Sequence, residues 1–165
     1  MTSVRHAAPA DAPRIAEIYN HYVTHSIVTF EESAVSATEM EQRIAKVHDA
    51  SLPWLVVERA GVVLGYAYAT QWKDRIGYRF SVESTIYLEA GTAGRGLGTT
   101  LYTELIAQLR KRGDIHAVLG GIALPNPGSV ALHEKIGMSK VAHLREVGQK
   151  FGEWVDVGYW ELILQ

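Results

Sequence analysis

Residues 91–98, Gly91-Thr92-Ala93-Gly94-Arg95-Gly96-Leu97-Gly98, constrain this chain most, because they join a strand pattern to a helix pattern through four glycines. Upstream, over about 78–89, Phe80, Val82, Ser84, Ile86 and Leu88 fall on one face of an extended chain. Ser81, Glu83, Thr85 and Tyr87 fall on the other. Downstream, Leu97, Leu101, Leu105 and Leu109 recur at i+4 steps, which predicts a long helix with one buried line, ended by Gly113. The first N–H groups of such a helix lack intrahelical partners and lie at the positive end of its dipole. Glycines let an anion approach that backbone and tolerate positive φ. A phosphate site is the physical inference. The dipole alone offers only about 0.3–2 kcal/mol, so several N–H groups must act together.

Two common phosphate loops do not fit. A Walker A loop needs Lys after its closing Gly, and counting from Gly91 to Gly96 that place holds Leu97. A dinucleotide fingerprint needs a third glycine, but Gly96-Leu97-Gly98 is followed by Thr99, Thr100 and Leu101.

The remaining chain supplies a frame. A short strand around Val4 precedes a helix capped by Asp11, with Pro13 in its first turn and Ile15, Ile18, Tyr19 and Tyr22 on one face. A second helix begins near Thr38, where Thr38 and Glu41 have capping-box spacing and Met40, Ile44 and Val47 form the apolar stripe. Strands follow at 54–58 and 62–72, turned by Arg59-Ala60-Gly61. After the long helix come a strand at 117–124, a cap at Asn126-Pro127 and a short helix carrying Val130, His133 and Ile136. Two strands, about 140–146 and 154–164, finish the chain. The order β-α-α-β-β-β-α-β-α-β-β predicts an α+β or mixed α/β sheet, with residues 1–165 as one domain.

Composition removes several classes. A net charge of −2 argues against nucleic acid as partner, and Arg110-Lys111-Arg112 reads as cations at a helix C-terminus. Without cysteine there is no disulfide, thiolate catalysis or zinc-thiolate site. No apolar run reaches signal-peptide or membrane-span length, so a cytoplasmic protein without a membrane partner is expected. His21 and His25 have metal-ligand spacing, but no third ligand is recognisable and no metal is expected.

Arg95-Gly96-Leu97-Gly98 at a helix start resembles the pyrophosphate signature R/Q-x-x-G-x-G/A of the GNAT acetyltransferase superfamily. Asn126 together with Ala131-Leu132-His133-Glu134-Lys135-Ile136-Gly137-Met138 resembles its second signature. Further blocks are similar to the phosphinothricin and methionine-sulfoximine acetyltransferase group: Tyr19-Asn20-His21-Tyr22, Pro53-Trp54-Leu55-Val56, Trp72-Lys73-Asp74-Arg75, Glu83-Ser84-Thr85-Ile86-Tyr87 and Asp156-Val157-Gly158-Tyr159-Trp160. The resemblance covers nearly the whole chain. One departure is Ala93, which stands where the superfamily has its first Arg or Gln; Arg95 is the available substitute.

This resemblance implies a GNAT fold with a sheet splayed near its centre, and acetyl-CoA as co-substrate. It also implies direct acetyl transfer to the α-amine of a small amino-acid analogue bearing a carboxylate. Gly94, Arg95, Gly96, Leu97, Gly98 and Thr99 would hold the pyrophosphate. Backbone groups of Ile86, Tyr87 and Leu88 would receive the pantetheine arm and polarise the thioester. Asn126 either contacts that arm or merely caps its helix. Glu83 corresponds to the glutamate given the base role, acting directly or through water. An alkyl amine with pKa near 10.4 is mostly protonated at neutral pH, so some base must act. His133 stands where many members have Tyr, as acid, base or orienter. Lys73, Asp74 and Arg75, with Ser84 and Thr85 beside Glu83, would meet the acceptor, a cation holding its carboxylate. Phe30, Trp72, Tyr78 and Tyr87 are candidate pocket walls. The group also implies a homodimer. The alternatives are another amine acceptor (a protein N-terminus, polyamine or aminoglycoside) or a non-catalytic acetyl-CoA sensor.

Overall fold

Helix segments are interspersed among runs of strands along this chain, and covering both sheet faces with helices buries the apolar rows. The computed structural model, which describes residues 1–164, does this with seven strands and four α-helices. The strands are β1 (Thr2–His6), β2 (Trp54–Arg59), β3 (Val62–Gln71), β4 (Ser81–Leu88), β5 (Ala117–Leu124), β6 (Ser139–Lys150) and β7 (Glu153–Ile163). The helices are α1 (Ala12–His25), α2 (Ala37–Asp49), α3 (Leu97–Arg112) and α4 (Pro127–Lys135). One sheet runs β1-β2-β3-β4-β5-β7-β6. Every pair is antiparallel except β4 and β5.

That parallel pair is the architectural event. Its register holds only at Ser81↔Ala117, Val82↔Val118 and Glu83↔Leu119, after which the strands part. Ser84 sits at the point of divergence, 4 % exposed. Its hydroxyl meets the Tyr102 phenol and donates to the Leu119 carbonyl at 3.1 Å.

The two sheet faces differ in side-chain size. Tyr66, Tyr68 and Tyr87 point towards α1 and α2, where Tyr87 meets Tyr19 edge-on at 5.2 Å and Trp54 stacks on Tyr68 at 4.0 Å. Gly65, Ala67 and Ala69 occupy the intervening positions of β3, and a Cβ on Gly65 would lie 2.5 Å from Leu88. The small row lets α3 lie close, burying Leu97, Leu101, Leu105 and Leu109 as the i+4 line predicts.

Two caps differ from the sequence expectation. Asp11 stands at the N-cap of α1 but gives it no side-chain bond: it ends a 3-10 turn (Pro9–Asp11), accepts from the Ala8 N–H at 2.7 Å and pairs with Arg5 at 2.8 Å. The α2 cap is Ser36, whose Oγ accepts from the Glu39 N–H at 3.1 Å, so the helix starts ahead of Thr38. At α2 a second acceptor two residues ahead satisfies the same backbone rule, whereas α1 runs on directly from the preceding turn. Strand β6 also runs to Lys150, beyond the expected 146, by bulging between Leu144 and Gly148.

Candidate active site

Where β4 and β5 part, a cleft of about 960 Å³ opens, and it runs from the glycine turn past the splay to the α1–α2 segment. Its α3 wall is made of backbone. Gly94 and Gly96 adopt φ of +78° and +76°, and a Cβ on either would meet nothing within 4 Å. These glycines are kept for their turn geometry, and the space above them is open. Gly96 caps α3 without a side-chain bond, so the N–H groups of Leu97, Gly98 and Thr99 stand at the helix start with no intrahelical acceptor. Arg95 is exposed beside them. A pyrophosphate fits such a nest of donors.

Next to the nest, β4 offers an unpaired edge. The Glu89 N–H bonds Leu64 across β3, so by antiparallel alternation the peptide groups of Tyr87 also face β3. Ile86 and Leu88 face the parted side instead. The Tyr22 hydroxyl donates to the Leu88 carbonyl. The Ile86 N–H and C=O and the Leu88 N–H therefore remain for an extended ligand arm. Tyr87 also lines the cleft, but its backbone pairs with Tyr66 across β3 and its ring packs among tyrosines.

Asn126 caps α4, its Oδ1 accepting from the Ser129 N–H at 3.2 Å, while the residue also lines the cleft. The cap uses the carbonyl oxygen, which leaves the amide NH₂ as a donor.

Glu83 and His133 lie against consecutive glycines of β5. A Cβ on Gly121 would lie 3.2 Å from Glu83 Oε1 and 3.3 Å from the Tyr159 ring. A Cβ on Gly120 would lie 2.7 Å from His133 Nε2. Consecutive residues of a strand project to opposite faces. The carboxylate and the imidazole thus sit on opposite sides of β5, and both border the cleft only because β4 has moved away.

Their environments set their protonation. Partial burial, with no cation in contact, pushes the Glu83 carboxyl above the usual carboxylate range. His133 is 4 % exposed, and burial lowers its pKa, partly offset by its bond to the Ser129 carbonyl. That bond, Nδ1 to Ser129 O at 2.7 Å, requires the proton on Nδ1. Nε2 then carries the lone pair, so the resting imidazole is an acceptor towards Gly120.

The acceptor-side expectations separate. Glu83 and Thr85 face the cleft on the α1 side, with Phe30, Thr29 and Tyr159. Ser84 faces the other way and holds the splay, as described above, so its hydroxyl is not an acceptor ligand on the Glu83 side. Lys73, Asp74 and Arg75 lie outside the cleft: with Trp72 and Tyr78 they line their own concavity of about 600 Å³. Lys73 Nζ lies 5.0 Å from the Trp72 ring centre. The loop after β3 is long enough to turn away, which strand pattern alone does not reveal.

Sequence reasoning passed over Tyr159 and the Gly120-Gly121 pair. Burial and the nearby Glu83 charge raise the Tyr159 phenol, so it stays a donor at neutral pH. The signal was two adjacent glycines inside a strand, which mark close approach. Among the described residues no cluster of three His, Asp or Glu could hold a metal, and no helix is long and apolar enough to cross a membrane.

A helix-capping glycine nest, a parted parallel strand pair and a carboxylate between them define an acyl-CoA-dependent transferase of the GNAT type. The chain belongs to the GNAT acetyltransferase family: residues 4–158 match its acetyltransferase (GNAT) domain model. It is 40 % identical to a phosphinothricin N-acetyltransferase of Streptomyces viridochromogenes, over 96 % of this chain and 85 % of the relative. It is 36 % identical to an L-methionine sulfoximine/L-methionine sulfone acetyltransferase of Salmonella typhimurium, over 98 % and 94 %. A crystal structure of a phosphinothricin acetyltransferase from Sinorhizobium meliloti in complex with acetyl-CoA superposes with a TM-score of 0.94. It is 33 % identical, covering 99 % of this chain and 88 % of the other.

Proposed function

We propose that this chain transfers acetyl from acetyl-CoA to the α-amine of a small amino-acid analogue of the phosphinothricin, methionine sulfoximine or methionine sulfone type. The observation that carries this is Glu83. Its half-buried carboxylate lies over Gly121, where β4 offers free peptide groups on one side and the α1–α2 segment closes the other. The relatives' acceptors share an amine and an acid group, which suits a cleft of this size.

In this reading Leu97, Gly98 and Thr99 hold the pyrophosphate, and the Asn126 amide steadies the pantetheine arm. The Ile86 N–H or the Leu88 N–H polarises the thioester oxygen. The acceptor amine loses a proton to Glu83, directly or through one water, and its nitrogen attacks the thioester carbon. As the C–S bond breaks, the second proton of the attacking nitrogen passes to the departing sulfur, giving the amide and the coenzyme A thiol. His133, on the opposite face with its lone pair at Nε2, orients or accepts on the thiol side and does not exchange protons directly with Glu83. The chain works as one domain, in the cytoplasm, without nucleic-acid or membrane partners.

A homodimer is part of the proposal. Val147, Phe151 and Trp154 on β6–β7 are largely exposed, with Trp154 at 64 %. Light scattering with size exclusion measures the state, and a monomer at working concentration removes this part.

The testing experiment is thiol release from acetyl-CoA with phosphinothricin, methionine sulfoximine, methionine sulfone, a polyamine, an aminoglycoside and a short peptide. Turnover concentrated in the first three supports the assignment. Turnover of the peptide or polyamine alone replaces the acceptor class, and cofactor binding without turnover makes the chain a sensor.

A further inference from the structure

We propose that Lys150 is a positioning residue that fixes the acceptor wall of the cleft by pinning the backbone between Val28 and Phe30. It rests on the reading that the acceptor enters on the Glu83 side.

Lys150 ends β6 and is 1 % exposed, among the largest fully buried side chains of the molecule. Among the described residues its ammonium forms no ion pair within contact distance. It donates to the Thr29 carbonyl at 2.7 Å and lies 5.2 Å from the Phe151 ring centre. Glu31 and Glu32 reach it only through space, and burial moves its pKa down. A buried ammonium without a contact carboxylate is costly, and an apolar side chain of equal length would fill the same space more cheaply. What lysine adds is one donor aimed at one carbonyl.

That carbonyl lies between two residues that line the cleft, Val28 and Phe30. The segment is held from several sides. Thr29 Oγ1 bonds the Tyr19 hydroxyl at 2.7 Å, and Glu31 takes the Arg43 guanidinium at 2.7 and 3.2 Å. Phe30 lies over Gly148, where a Cβ would come within 2.3 Å of its ring. Gly148 and Lys150 are two residues apart on β6, so they share a face. One strand end therefore makes room for the Phe30 ring and pins the adjacent peptide. Phe30 is 40 % exposed, so burial does not fix it and its backbone must. None of these contacts touches the glycine turn, so the acceptor wall can be disturbed without the acetyl-CoA wall.

The experiment uses the full chain with acetyl-CoA and methionine sulfone. Lys150→Met keeps the stem and removes the donor, and Lys150→Arg keeps a donor. Lys150→Met should raise acceptor KM about tenfold, the size expected for one unpaired buried carbonyl, with acetyl-CoA KM unchanged. Amide exchange over 27–32 should speed up while the body of α3, 101–109, stays protected. Lys150→Arg should recover most of the acceptor KM. Gly148→Ala should give the same acceptor-only change and combine with Lys150→Met less than additively. An unchanged acceptor KM overturns the proposal, even if exchange quickens. So does a rise in both KM values that follows the loss of thermal stability, or full additivity of the two variants. If the wild-type chain turns over no acceptor, the functional reading fails, while the exchange measurement still tests the pin.

Discussion

Along the α3 side of the cleft the chain offers its backbone; along the α1–β6 side it offers side chains drawn from far apart. The first wall is built within 86–99, from the β4 edge, Gly94, Gly96 and the first turn of α3. The second needs Thr29 and Lys150, 121 positions apart, together with Tyr159 and Phe30. A backbone wall suits a ligand shared by every acetyl-CoA-dependent relative, because peptide groups bind it whatever the side chains are. A side-chain wall can change its acceptor by substitution while the sheet stays intact.

That contrast can be broken by variants that should affect one wall only. Glu83→Gln should lower kcat about 10²-fold with acetyl-CoA KM unchanged. The acidic limb of the wild-type pH–rate profile should lie above the ordinary glutamate range and vanish in the variant. A retained limb would assign the base elsewhere. Gly96→Val places a branched residue at φ +76°, and should raise acetyl-CoA KM about 30-fold while sparing acceptor KM. An acceptor effect of equal size would mean that the walls are coupled. Gly121→Ala puts a methyl 3.2 Å from Glu83 Oε1 and should cut kcat/KM for the acceptor about fivefold, read at saturating acetyl-CoA.

The smallest expected effect concerns stability. A carboxyl whose folded pKa is raised binds more protons folded than unfolded. It therefore weakens the fold as pH rises through the window between the unfolded and folded values, and fully above it. Glu83→Gln should raise the thermal midpoint slightly at pH 8 and leave it unchanged at pH 4. Equal midpoints at both pH values would mean that Glu83 is solvated and not tuned for proton transfer.

The sequence by itself determined what neighbours in the chain can determine. The glycine turn, the leucine line of α3, the alternation of β4 and the Asn126-Pro127 start of α4 follow from φ preference, helix period and strand period, which act over a few residues. Local reading missed the partners: Ser36 caps α2 ahead of Thr38, and Asp11, at the N-cap of α1, turns its carboxylate to Ala8 and Arg5 instead. Tertiary structure decided the rest. It parted β4 from β5, turned Ser84 into the clasp of that splay and set Glu83 and His133 on opposite faces. It also moved the Lys73–Arg75 loop into a concavity of its own and brought Lys150 to Thr29. Each depends on which strands are neighbours and where their pairing stops, and that is fixed by burying whole faces at once, so no short stretch of sequence contains it.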